Sequence, residues 1–119
     1  MKILSIVLLA LVVGTTAVQA SAFTGATVVF VPPGDHLMVR KWPSANSVIR
    51  KMYDNSEMLS LTGRCKNTRT GVSFRIDTGG SQAAIYNKMK QANVWCAIWH
   101  DPIAGVFEIG WARGKFLLP

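Results

Sequence analysis

Leu37-Met38-Val39-Arg40-Lys41-Trp42-Pro43-Ser44-Ala45-Asn46-Ser47-Val48-Ile49 is the stretch on which the fold turns. Its first four residues alternate, so Leu37 and Val39 can point into a core while Met38 and Arg40 point out, the period of a half-buried strand. Pro43 to Ser47 is rich in turn formers. The chain can pair again over Val48 to Tyr53, and Asp54-Asn55-Ser56-Glu57 reads as a turn. Outward in both directions the same short blocks recur. Ala26 to Val31 is β-branched and apolar and is stopped by Pro32-Pro33-Gly34-Asp35. Met58 to Cys65 alternates, with Leu59, Leu61 and Gly63 on one side and Ser60, Thr62 and Arg64 on the other. Val72 to Ile76 is a further strand candidate after the polar run Asn67 to Gly71.

The period changes after Gly79-Gly80. Ser81 suits an N-cap, and a helix is expected from Gln82 to about Ala92. Ile85, Met89 and Ala92 make its apolar stripe, Asn87, Lys88, Lys90 and Gln91 face water, and Asn93 suits the position just past the helix end. So short a helix is marginal alone and must dock on the β core. Val94 to Trp99 is the next strand, His100 to Gly105 a turn, and Val106 to Ala112 another strand. Arg113-Gly114-Lys115 bends before Phe116-Leu117-Leu118, with Gly114 permitting the tight turn. Many short strands in about a hundred residues mean a mainly β domain, a small barrel or sandwich.

Three stretches resemble the bacterial SH3 family (SH3b, or SH3-like type 3). Leu37 to Ile49 is similar to its opening pattern L-N-V-R-x-x-P-S-x-x-S-x-V-I. Trp95-Cys96-Ala97-Ile98 resembles the W-x-x-V strand after its variable middle loop. Gly110-Trp111-Ala112-Arg113-Gly114-Lys115-Phe116-Leu117 resembles its closing G-W-V-x-x-x-Y-L. The resemblance implies a small SH3-like barrel with one helical insertion, and it places Trp95 and Trp111 at core-like positions. Pro43 would pre-set the loop over the barrel mouth, and Gly110 would let the Trp111 indole pack against close backbone. Met38 departs from the usual Asn, and Lys41-Trp42 from the small residues common before the Pro. The segment from about 66 to 93 is much longer than the usual loop and carries the expected strand and helix. The family's role in recognising cell-wall or peptide ligands is implied in outline.

The N-terminus reads as an address. Lys2 is followed by an unbroken apolar run from Ile3 to Val13, then Gly14-Thr15-Thr16 and small residues around Ala20 and Ala22. That order is a cleavable signal peptide over residues 1–22, with cleavage after Ala20 or Ala22. The run falls short of the roughly 20 apolar residues of a spanning helix, so no stable membrane insertion is expected after cleavage. One domain, residues 23–119, would then remain, secreted across the cytoplasmic membrane into the periplasm or the extracellular space. Without Lys2 the chain keeps twelve basic against six acidic residues. Inside a cell that balance would suggest nucleic acid; for an exported protein the polyanions are envelope polymers, lipid head groups or acidic peptides, and no nucleic-acid partner is expected. The charge can equally serve solubility alone.

Cys65 and Cys96 are the chain's two cysteines. In an oxidising compartment an even pair reads as a disulfide. Closing about 32 residues would stabilise by roughly 3.7 kcal/mol through lost unfolded-chain entropy. The pair brackets the insertion and would pin its base. With no CxxC, and His36 and His100 far from ligand spacing, no metal and no cofactor is expected.

The candidate ligand-binding residues are Arg40, Lys41, Trp42, Arg50, Lys51 and Trp99. Trp42 lies between Lys41 and Pro43 in a turn segment, where it offers a stacking platform for a sugar or peptide, or folds back over the barrel end. Arg40-Lys41 and Arg50-Lys51 flank one loop, and a hairpin there would gather four cations into a patch attracting carboxylates or phosphates; solvated surface charge is the simpler alternative. Trp99 is ambiguous between core and surface. His100-Asp101 has the composition of an acid–base pair, but a turn-forming Asp-Pro accounts for it. No nucleophile motif, paired-carboxylate signature or H-E-x-x-H is present, so no catalytic residue is expected. The reading is an exported, non-catalytic binding module for peptidoglycan or an envelope peptide or protein. The alternative is a structural or inhibitory envelope protein acting through its helical insert, and a cell-wall hydrolase is a more distant one.

Overall fold

A computed structural model describes residues 25–77, 80–103 and 105–119. The expected signal peptide, residues 1–22, lies outside the described residues. The strands are β1 Gly25–Val28, β2 Leu37–Arg40, β3 Ile49–Tyr53, β4 Met58–Asn67, β5 Ser73–Arg75, β6 Val94–Ile103, β7 Val106–Arg113 and β8 Leu117–Leu118. Helix α1, Gln82–Met89, separates β5 from β6, and a 3-10 turn over Gly114–Phe116 separates β7 from β8. They build one antiparallel sheet in the order β3-β2-β7-β6-β4-β1-β8, with β5 added on β4. The sheet curls into a barrel-like half-shell, so the described residues are mainly β with one α-helix among them.

Alternation decides which side chains fill it. Leu59, Leu61, Gly63 and Cys65 of β4 are buried while Ser60 and Arg64 are exposed. Leu37 and Val39 of β2 are buried, and Met38 and Arg40 lie half-buried on the other face. Ile98 and Ala112 continue the inner layer, and α1 closes the core with Ile85 and Met89. Cys65 and Cys96 are direct cross-strand partners on β4 and β6 and form a disulfide at the base of the insert. Both are buried, and the next two rungs, Lys66 opposite Trp95 and Asn67 opposite Val94, extend the ladder into the insert.

Four local expectations need correction. The first strand ends at Val28, and Phe30 beyond it takes a left-handed φ of 63° that extended pairing does not allow. The strand expected from Val72 to Ile76 is confined to Ser73–Arg75, and Ile76 turns inward as a core residue. The helix begins as expected, with Ser81 Oγ accepting the Ala84 N–H, but it stops at Met89. Ala92 is therefore exposed rather than part of the stripe. Asn93 does adopt a positive φ of 68°, in the turn entering β6, where its carbonyl accepts the Thr68 N–H. The fourth is the turn expected from His100. Instead β6 runs to Ile103, which pairs Val106, and the ladder shifts register between His100 and Ile103. Pro102 has no N–H to donate, and it falls in that irregularity, where a strand tolerates proline.

Gly114 also has a different reason from the one its turn suggested. It does not sit at positive φ. A Cβ there would lie 2.3 Å from the Met89 carbonyl oxygen, so the glycine lets the last turn of α1 press onto the chain between β7 and β8.

Candidate functional site

One groove runs between the β1–β2 connection, the β2–β3 loop and the outer face of β6 and β7. It encloses about 190 Å³ and is lined by Asp35, His36, Met38, Arg40, Ala45, Trp95, Arg113 and Phe116, with Leu37 at its base. β6 and β7 set Trp95 opposite Arg113, and the guanidinium stacks 5.0 Å from the ring centroid. Trp95 is 4% exposed, so its ring is a buried wall rather than a free platform. Arg113 has no carboxylate within ion-pair distance among the described residues. Arg40 enters from β2, where it pairs Trp111 of β7. It donates from Nη1 to the Ser47 carbonyl at 2.7 Å and from Nη2 to Met38 Sδ at 3.4 Å. Those bonds hold the loop and spend only part of its donor fork. Asp35 adds one carboxylate to the rim and accepts the His36 N–H at 2.8 Å. His36 Nδ1 is engaged with Asp54, 2.5 Å away. The groove therefore presents two cations, an aromatic wall and one anion.

The other sequence candidates lie around this groove or away from it. Trp42 is 61% exposed, with Lys41 Nζ 5.6 Å from its ring centroid, on the loop whose Ala45 walls the groove. Arg50 and Lys51 are drawn to partners at the β6–β7 hairpin. Arg50 donates to Glu108 at 3.2 Å, and Lys51 to the Asp101 carbonyl at 3.2 Å. The four cations of the two pairs thus divide between the groove, the loop and the hairpin. Trp99 is 44% exposed, paired to Ile109 on the outer face of the sheet.

A search against protein-family models, curated proteins and solved structures found no match.

At the hairpin end a polar cluster lies inside the shell. His100 is 2% exposed and sits edge-on to Tyr53, ring centroids 6.4 Å apart. Its Nε2 is 3.4 Å from Glu108 Oε1, yet neither ring nitrogen makes a hydrogen bond among the described residues, and nor does the Tyr53 hydroxyl. Burial pushes Tyr53 up to about 12, with Asp101 and Glu57 adding to the shift. Burial lowers the His100 pKa, and Glu108 opposes that shift while Arg50 and Lys51 add to it.

Sequence reasoning missed Arg113 as a groove residue and His100 as a buried one. Arg113 stood in the closing pattern two residues after Trp111, but its stacking on Trp95 depends on the β6–β7 register. His100 carried a misleading signal, because Asp101-Pro102 after it reads as a turn.

Proposed function

We propose that this chain is an exported, non-catalytic binding domain of the bacterial SH3 type. Its ligand is a carboxylate-bearing peptide of the cell wall or envelope, held in the groove between Arg40, Arg113 and Trp95. The observation that carries the reading is Arg113, a cation stacked on a buried indole and left without a carboxylate partner among the described residues. A planar guanidinium so placed suits bidentate capture of a carboxylate. Arg40 lines the same groove, and Asp35 on the rim favours a ligand that carries an amine as well. A zwitterionic peptide end meets both demands. Trp42 and Lys41 extend the surface along the β2–β3 loop and would contact the next part of such a peptide.

Arg113→Gln tests this. A charge-assisted hydrogen bond contributes about 1.5–3 kcal/mol, so binding to purified peptidoglycan should fall roughly ten- to a hundredfold while thermal stability changes little. Unchanged retention on the wall polymer would remove the groove from consideration. A second reading has its own observation: Asn87, Lys88, Lys90 and Gln91 on the outer side of α1 and just beyond it are all exposed. If Lys88→Glu with Lys90→Glu abolishes capture of an envelope protein while Arg113→Gln has no effect on either ligand, the insert is the contact surface.

A further inference from the structure

We propose that His100 is the proton-operated latch of the β6–β7 hairpin: neutral, it lets the hairpin close on β3, and protonated, it releases that end of the shell. The inference does not depend on which ligand the groove takes.

The site is fitted around the ring. His100 points inward from β6, and its pairing with Glu108 places the carboxylate beside it on β7. A Cβ on Gly110 would come within 3.0 Å of His100 Nε2 and 2.4 Å of Val39 Cγ1, so a glycine clears the space in which the imidazole is packed. Glu108 has two claimants. Arg50 of the edge strand β3 holds it at 3.2 Å through both oxygens, a tie that spans β2 and joins β3 to β7. His100 is the other, 3.4 Å away.

A neutral imidazole leaves Arg50 in possession. An imidazolium has two N–H donors and a full charge in a site with no water-like surroundings, and such a charge is costly unless paired. The charged groups around it are Glu108 of β7, Asp101 of β6, and Arg50 and Lys51 of β3, with the Tyr53 ring on the remaining side. Two are anions and two are cations. Glu108 is held by Arg50, and Lys51 bonds the backbone carbonyl of Asp101, whose carboxylate does not lie within ion-pair distance of the ring. Pairing the new charge means closing the 3.4 Å gap to Glu108 Oε1, the oxygen that also accepts from Arg50, so that one carboxylate is shared between two cations. Leaving it unpaired means turning the ring out to solvent. The first route weakens the tie between β3 and the hairpin, and the second breaks it.

The sign follows from linkage. Burial holds the closed-state His100 below its ordinary 6.5, while an opened hairpin returns it to that value. Well above 6.5 both states are neutral and opening does not depend on pH. As pH falls through 6.5 the open state gains a proton that the closed state refuses, so opening grows until the closed-state value is reached. Between pH 7.5 and 5.0 the open population should rise by up to about thirtyfold.

Amide hydrogen exchange, followed by NMR on the disulfide-intact chain and corrected for intrinsic rates, reads this directly. Amides of residues 49–53 and 105–109 should exchange up to about thirtyfold faster at pH 5.0, with β4 unchanged. His100→Gln should abolish the acid response. Equal protection at the two pH values overturns the proposal, as does an acid response that persists in His100→Gln. If that variant does not fold, the wild-type His100 ring is titrated instead. A midpoint below 6.5 that coincides with the hairpin amide shifts supports the latch, and a midpoint at or above 6.5 overturns it. Glu108→Gln removes the carboxylate that favours the charged ring and should move the midpoint lower still; a midpoint unmoved or raised contradicts the assigned contact.

Discussion

Gly114→Ala is the sharpest test of how the helical insert is held to the sheet. The added methyl would meet the Met89 carbonyl oxygen at 2.3 Å, its carbonyl carbon at 2.9 Å and its Cβ at 3.1 Å. The first two are backbone atoms at the end of α1. They cannot rotate aside as a side-chain tip would. The Tyr86 hydroxyl also donates to the Lys115 carbonyl at 2.6 Å, so the helix and the 3-10 turn are fastened on both sides of the clash. Relief requires the helix to shift, which would disturb the packing of Ile85 and Met89, 4% and 0% exposed. Overpacking costs about 1–3 kcal/mol, and a backbone obstacle places this case near 3. In a domain of this size that lowers the melting temperature by about 12 °C or more. Gly71→Ala is the control. It lies in the same insert at φ +78° with nothing within 4 Å of a Cβ, so it meets only the left-handed penalty of about 1–2 kcal/mol. Thermal unfolding followed by circular dichroism measures both. If Gly114→Ala costs no more than Gly71→Ala, the close contact between α1 and the turn is wrong.

Two further outcomes concern the insert. Replacing Cys65 and Cys96 together by Ala should lower unfolding free energy in urea by roughly 3–4 kcal/mol, and a loss under about 1 kcal/mol would mean that the unfolded chain gains little freedom from the missing bridge. Lys88→Glu with Lys90→Glu, both exposed, should leave stability within about ±0.5 kcal/mol; a larger loss would show that these side chains pack rather than point to solvent.

The sequence was most readable where one face of an element is buried and the other is wet. The inward set of β4 and the outward placing of Met38 and Arg40 follow from a period of two, because a slip by one residue would reverse every side chain. Ile85 and Met89 were readable for the same reason at helical spacing. The helix end was not, since its last residue, Met89, is seated against Gly114, more than twenty positions away in the chain. Asp101-Pro102 carries a strong local turn signal, and the ladder absorbs it as an irregularity instead, which also hid the burial of His100. The groove was half legible. Arg40 stood out from its loop, but Trp95 looked like core alone, and only the pairing of Trp95 with Arg113 turns that core residue into a wall of the site.

The bond between Cys65 and Cys96 encloses every residue from Lys66 to Trp95 in a covalent ring. Arg69 and Lys90 are exposed in turns within that ring and are natural points of attack for a trypsin-like protease. A single cut at either of them would break the chain without separating its parts. Both halves would stay joined through sulfur, and the β4–β6 ladder that carries Trp95 would keep its partners. Such a nicked molecule would come apart only under a reductant. In a space where foreign proteases circulate and thiols are scarce, this stretch can be damaged without releasing either half.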